Sequence, residues 1–124
     1  MEEEVKRLMS EQRATRDSYS RHHPMPETKA RMQVSQTFTD EEYQRMQMGT
    51  IPQEMEDKWF IYFEDGWFFF HRSWTGICIY QVRLEPDDSG WSIVEAWVNT
   101  DPTQFSAPED TQQFLRIIRY VLLG

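Results

Sequence analysis

Asp65-Gly66 separates two of the most aromatic segments of the chain, Lys58-Trp59-Phe60-Ile61-Tyr62-Phe63 and Trp67-Phe68-Phe69-Phe70-His71-Arg72. An Asp-Gly pair between such runs favours a type I′ hairpin, because that turn needs positive φ at both central positions. A two-residue turn sets Phe63 opposite Phe68, Ile61 opposite Phe70 and Trp59 opposite Arg72. On the other side Tyr62 faces Phe69 and Phe60 faces His71. Both sides of the ribbon are then apolar, whereas an antiparallel sheet commonly leaves one face wet. One face calls for a helix. The other calls for a second cover: the helix beginning at Phe38, the N-terminal arm, another protein chain or a ligand.

Four strands are expected, over Lys58–Phe63, Trp67–Arg72, Ile77–Leu84 and Trp91–Val98. The connector Glu85-Pro86-Asp87-Asp88-Ser89-Gly90 is turn-rich, so the four read as an antiparallel meander. Strict alternation puts Cys78, Tyr80, Val82 and Leu84 on one side of the third strand, with Ile77, Ile79, Gln81 and Arg83 on the other. In the fourth, Trp91, Ile93, Glu95 and Trp97 oppose Ser92, Val94, Ala96 and Val98. Thr39 and Glu42 form a capping-box pattern for a short helix carrying Tyr43 and Met46, with Phe38 placed to staple onto Tyr43 and Gly49 as its stop. A last helix is expected from near Pro108, capped by Ser106, with Phe114, Leu115, Ile117, Ile118, Val121 and Leu122 at helical spacing. The expected fold is therefore α+β: a four-stranded antiparallel meander with a C-terminal helix packed on one face and a short helix before the first strand.

Residues 1–36 read as a mobile or partly helical N-terminal arm, with a helix over about residues 2–16, and residues 37–124 as a single α+β domain. Asp17 to Gln36 is polar and contains Pro24 and Pro26. The net charge of −8 disfavours nucleic acid and anionic membrane surfaces as partners. No apolar run approaches the ~20 residues that span a bilayer. The acidic N-terminus lacks the apolar core of a secretory signal, and cytoplasmic is the expected location. The single cysteine, Cys78, excludes an internal disulfide and reads as a small buried residue.

No Gly-rich phosphate loop, Gly-x-Ser-x-Gly turn or His pair at metal-ligand spacing is present, and no cofactor is expected. His22-His23 in a polar loop is a weak metal candidate, and His71 with Asp101 or Glu95 is an acid–base pair of the kind chance supplies. The candidate site is Arg72-Ser73-Trp74-Thr75-Gly76 together with Arg83. Two guanidinium groups and an indole suit an anionic, planar ligand, with Ser73, Thr75 and the Gly76 backbone as further donors. Read structurally, the same string is a turn with Gly76 at positive φ, Trp74 capping the core and Arg72 paired to Glu64, Glu95 or Asp101.

The segments Lys58-Trp59, Arg72-Ser73-Trp74-Thr75-Gly76 and Ala96-Trp97-Val98-Asn99 resemble those of a small uncharacterised bacterial family, over about residues 38–124. The resemblance implies an association with ADP-ribose-processing proteins, and a nucleotide-like ligand for Arg72, Ser73, Trp74 and Thr75. It implies no established activity. The expected function is a non-enzymatic binding or accessory module, using the aromatic sheet face and the Arg72–Gly76 segment, with a protein partner or a second copy of itself. The alternatives are a domain that binds or acts on an anionic nucleotide derivative such as an ADP-ribose compound, and an acidic inhibitor or immunity-type protein.

Overall fold

The computed structural model describes residues 13–124. The helix expected over residues 2–16 falls mainly outside them; its end, Arg13 to Thr15, is irregular and leads into a single 3₁₀ turn at Arg16–Ser18. The strands are β1 (Lys29–Arg31), β2 (Thr37–Phe38), β3 (Trp59–Glu64), β4 (Trp67–Arg72), β5 (Cys78–Asp87) and β6 (Gly90–Asn99). Helix α1 (Asp40–Met46) precedes β3, and α2 (Thr111–Ile117) runs into a π-helical turn at Ile118–Leu122. The architecture is α+β, and every strand pairing is antiparallel.

Among the described residues the sheet has six strands rather than four, in the order β1-β6-β5-β4-β3, with β2 also on β6. The meander β3 to β6 is as expected, and the hairpin turn has Asp65 at φ 53° and Gly66 at φ 87°. Its register matches the sequence reading pair for pair, from Trp59↔Arg72 to Phe63↔Phe68. Of the two additional strands, β1 comes from the polar front segment and β2 from the first two residues of the expected 37–124 domain. β1 is exposed throughout and shows no apolar alternation; it is held by backbone pairing and by Lys29 and Arg31, whose cations lie 4.7 and 5.5 Å from the Trp97 ring centroid.

Two β-bulges shift the strand faces from the alternation expected. Phe70 pairs with Tyr80 but His71 with Cys78, so Ile79 is the extra residue. Ile79 consequently enters the main core, and Cys78 turns to the opposite face beside Tyr62, Phe69 and His71. In β6, Arg83 pairs with Glu95 but Leu84 with Ile93, which makes Val94 the extra residue. Trp91 and Ile93 thus join Ala96 and Val98 in packing on the main core, and Val94 is left exposed.

The main core lies between the first face and the two helices: Trp59, Ile61, Phe68, Phe70, Tyr80, Val82, Ala96 and Val98 meet Met46, Phe114, Ile117, Ile118 and Leu122. Thr39 and Glu42 form the reciprocal capping box of α1. Tyr43 stacks on Trp91 with ring centroids 3.9 Å apart. At α2 the cap is Asp110, whose carboxylate accepts from the Gln113 amide, so the helix starts later than Pro108 suggests. The π turn re-aims the end of the apolar stripe: Leu122 and Leu123 are buried and Val121 is exposed.

The second face is covered by the arm. Phe60 is fully buried and Tyr62 nearly so, packed with Ala14, Tyr19, Ile51 and Phe69. Tyr19 and His22 place their rings 5.4 and 6.1 Å from that of Phe60. The arm is fastened by Ala14 N–H to the Met48 carbonyl (2.8 Å), His23 N–H to the Gly76 carbonyl (2.8 Å) and an Arg16–Glu64 ion pair.

Candidate functional site

The bend between β4 and β5 contains Ser73, Trp74, Thr75 and Gly76, four of the six candidate residues, with Arg72 just before it at the end of β4, and each has a different environment. Ser73 is buried; its N–H donates to the Lys58 carbonyl at 2.9 Å and its hydroxyl to the Asp57 carbonyl at 2.7 Å. Its own carbonyl accepts from the Tyr19 hydroxyl at 3.0 Å. Gly76 sits at φ 79°, and its carbonyl takes both the His23 amide (2.8 Å) and His71 Nδ1–H (3.0 Å). Ser73 and the Gly76 backbone are therefore internal ties between the bend, the arm and the segment before β3, not free donors to an anion.

Trp74 points outward, with 60% of its surface exposed. Its Nε1–H donates to the Met55 carbonyl at 2.8 Å and its carbonyl accepts from Arg21 at 3.0 Å, which fixes the ring plane while leaving the π face open. It does not cap the core. Arg72 is half-buried, with its guanidinium 5.0 Å from the Trp59 ring centroid, and among the described residues it has no carboxylate partner. The expected pairing with Glu64, Glu95 or Asp101 does not form: Glu64 holds Arg16, Glu95 accepts from Trp97 and Arg83, and Asp101 accepts from Thr103. Thr75 Oγ1 accepts from the Ile77 amide at 3.2 Å, which leaves its O–H free to donate outward.

Arg72, Trp74 and Thr75 line a groove of ≈ 330 Å³ with Lys58, Ile77 and Gln104. Lys58, exposed and likewise without a carboxylate partner among the described residues, is the member that reading the bend alone overlooked. Its signal was its position just before Trp59, whose register partner is Arg72. Arg83 does not join this groove. It pairs with Trp67 at the far end of β4, five residues from Arg72 or about 16 Å along the strand. There it is bonded to Glu85 at 2.7 Å and Glu95 at 3.5 Å, and stacks over Trp67.

His71 does not pair with a carboxylate. Burial holds its imidazole down to about 4, below the ordinary 6.5, so the ring is neutral. Burial also pushes the Cys78 thiol up to about 12, which makes it a poor nucleophile. Among the described residues no cluster of three His, Cys, Asp or Glu side chains is arranged to hold a metal ion, and no helix is long and apolar enough to cross a membrane. No protein-family model, curated protein or solved structure matches the chain.

Proposed function

We propose that the chain is a non-enzymatic binding module whose contact surface is the Trp74 groove and whose ligand carries an anionic group next to a planar ring. The carrying observation is charge: in a chain of net charge −8, Lys58 and Arg72 stand beside an open indole with no carboxylate partner among the described residues. A guanidinium already oriented on Trp59 loses little freedom on taking a phosphate or carboxylate fork. The Trp74 face, held by its Met55 bond, supplies stacking, and the Thr75 hydroxyl a further donor. A nucleoside diphosphate of the ADP-ribose type, the class suggested by the Arg-Ser-Trp-Thr-Gly resemblance, combines both chemistries. The wider aromatic face contributes no contact surface in this reading, because the arm lies over Phe60 and Tyr62.

Titration calorimetry with ADP-ribose, ADP and adenosine tests this. ADP-ribose and ADP are expected to bind and adenosine to bind weakly. Arg72→Ala should weaken ADP-ribose by at least about tenfold, the scale of one charge-assisted hydrogen bond. Trp74→Ala should remove a stacking contribution of about 1–3 kcal/mol. Wild-type affinity in both variants, or no heat with any of the three at millimolar concentration, would dismiss the reading.

A further inference from the structure

The arm that covers the second aromatic face also meets the bend that carries Trp74. Tyr19 has an extended backbone, at φ −143° and ψ 124°. From there three alternate residues each donate to a carbonyl of the bend. The Tyr19 hydroxyl reaches Ser73 at 3.0 Å, Arg21 Nη1 reaches Trp74 at 3.0 Å, and the His23 amide reaches Gly76 at 2.8 Å. The approach is close: a Cβ on Gly76 would lie 2.9 Å from the Arg21 carbonyl carbon and 3.0 Å from the His22 nitrogen.

Trp74 is consequently held at both ends, its carbonyl by Arg21 and its indole N–H by the Met55 carbonyl at 2.8 Å. An indole that is 60% exposed has little packing to orient it, so its plane depends on those two bonds. Neither Tyr19 nor Arg21 lines the ≈ 330 Å³ groove of Lys58, Arg72, Trp74 and Thr75. Both line a second groove of ≈ 610 Å³, which shares only Trp74 with the first. They therefore act on the first groove through Trp74 and the bend, without touching its occupant. We propose that the arm completes the Trp74 groove: Tyr19 and Arg21 are positioning residues that hold Trp74 and Thr75 in the binding arrangement, so that ligand binding and arm docking strengthen each other. This coupling rests on the function proposed above for the groove. It is reciprocal. A ligand that binds only the arm-docked form has its apparent affinity reduced to the fraction of molecules in that form, and in turn holds the arm down.

The test is amide hydrogen exchange of the full chain with and without saturating ADP-ribose or ADP, whichever binds the wild type more tightly, together with calorimetry on a Tyr19→Phe, Arg21→Ala double variant. Bound ligand should slow exchange of the His23 amide at least about fivefold, the lower end of coupling between two sites. A merely structural arm would not respond to ligand. The double variant should bind about five- to tenfold more weakly. Part of that loss should already be present in Tyr19→Phe, which alters no charge and keeps the ring against Phe60. If the double variant does not fold, the wild-type exchange carries the result alone. An unchanged His23 exchange rate in a protein whose binding Arg72→Ala weakens, or full affinity in the double variant, would overturn the coupling and leave the groove as a binding site. Failure of the wild type to bind either ligand would remove both.

Discussion

Gly76→Ala and Gly66→Ala impose the same backbone strain in two different surroundings, so their difference measures what the arm contributes. Gly66 is at φ 87° with nothing within 4 Å of an added Cβ. An alanine there costs only the left-handed strain, about 1–2 kcal/mol. Gly76 is at φ 79°, but its Cβ would meet the Arg21 carbonyl carbon at 2.9 Å and the His22 nitrogen at 3.0 Å. Those are backbone atoms, which no rotamer change can move aside, so the arm itself must lift. Lifting strains the His23-to-Gly76 and Tyr19-to-Ser73 bonds, worth about 1 kcal/mol each. It also begins to expose Phe60 and Tyr62, whose full burial is worth about 1.5–3 kcal/mol apiece. Gly76→Ala should therefore lose about 2–4 kcal/mol more than Gly66→Ala in urea denaturation at neutral pH. Tryptic cutting at Arg16 and Arg21 should accelerate only in the Gly76 variant. Losses equal within about 0.5 kcal/mol, with unchanged cutting, would refute the reasoning that the arm is packed against this bend.

Acid sensitivity follows from His71, whose folded pKa of about 4 lies below the ordinary 6.5. The unfolded chain takes up this proton first, so the stabilisation is complete above the unfolded value and is lost as pH falls from 6.5 towards 4. Wild type should lose about 2 kcal/mol between pH 7 and pH 5, and His71→Phe much less, by denaturant titration at each pH. Asp87, Glu95 and Asp101, held down chiefly by hydrogen bonds from Ser92, Trp97 and Thr103, lose their contributions only at lower pH, below the ordinary carboxylate values. Cys78, fully buried with its thiol pushed up to about 12, should react with a thiol reagent only at the rate of unfolding, and prompt labelling would contradict that burial. Asp110→Ala should cost about 1 kcal/mol through loss of the α2 cap, whereas Ser106→Ala should be near neutral; the reverse order would put the helix start where the sequence reading placed it.

The hairpin was legible because turn chemistry and aromatic pairing agreed: Asp65 and Gly66 could scarcely do anything else between those two runs. The α1 cap was legible for the same reason, with Thr39 and Glu42 at the spacing that reciprocal hydrogen bonds need. The bulges at Ile79 and Val94 were not, because alternation assumes one residue per pleat and apolar neighbours on both sides conceal the extra one. β1 was missed because its three exposed residues pair through backbone and cation–ring contact, neither of which leaves an apolar period. The surplus of apolar surface on the hairpin's second face was legible, and of the covers the sequence allowed it is largely the arm that lies there, through Ala14, Tyr19 and His22 scattered among polar residues. Within the site, Arg72, Trp74 and Thr75 do come together, Ser73 turns inward, and Arg83 is held at the other end of β4 by carboxylates whose proximity no linear spacing reveals.

A two-dimensional NOE spectrum of the full chain probes most directly whether the arm lies on the second aromatic face. With Tyr19 and Phe60 rings 5.4 Å apart and His22 6.4 Å from Tyr62, cross-peaks between both pairs are predicted at neutral pH. Their absence, in a spectrum where the cross-strand pair Tyr62 and Phe69 at 4.9 Å is plainly connected, would contradict the account.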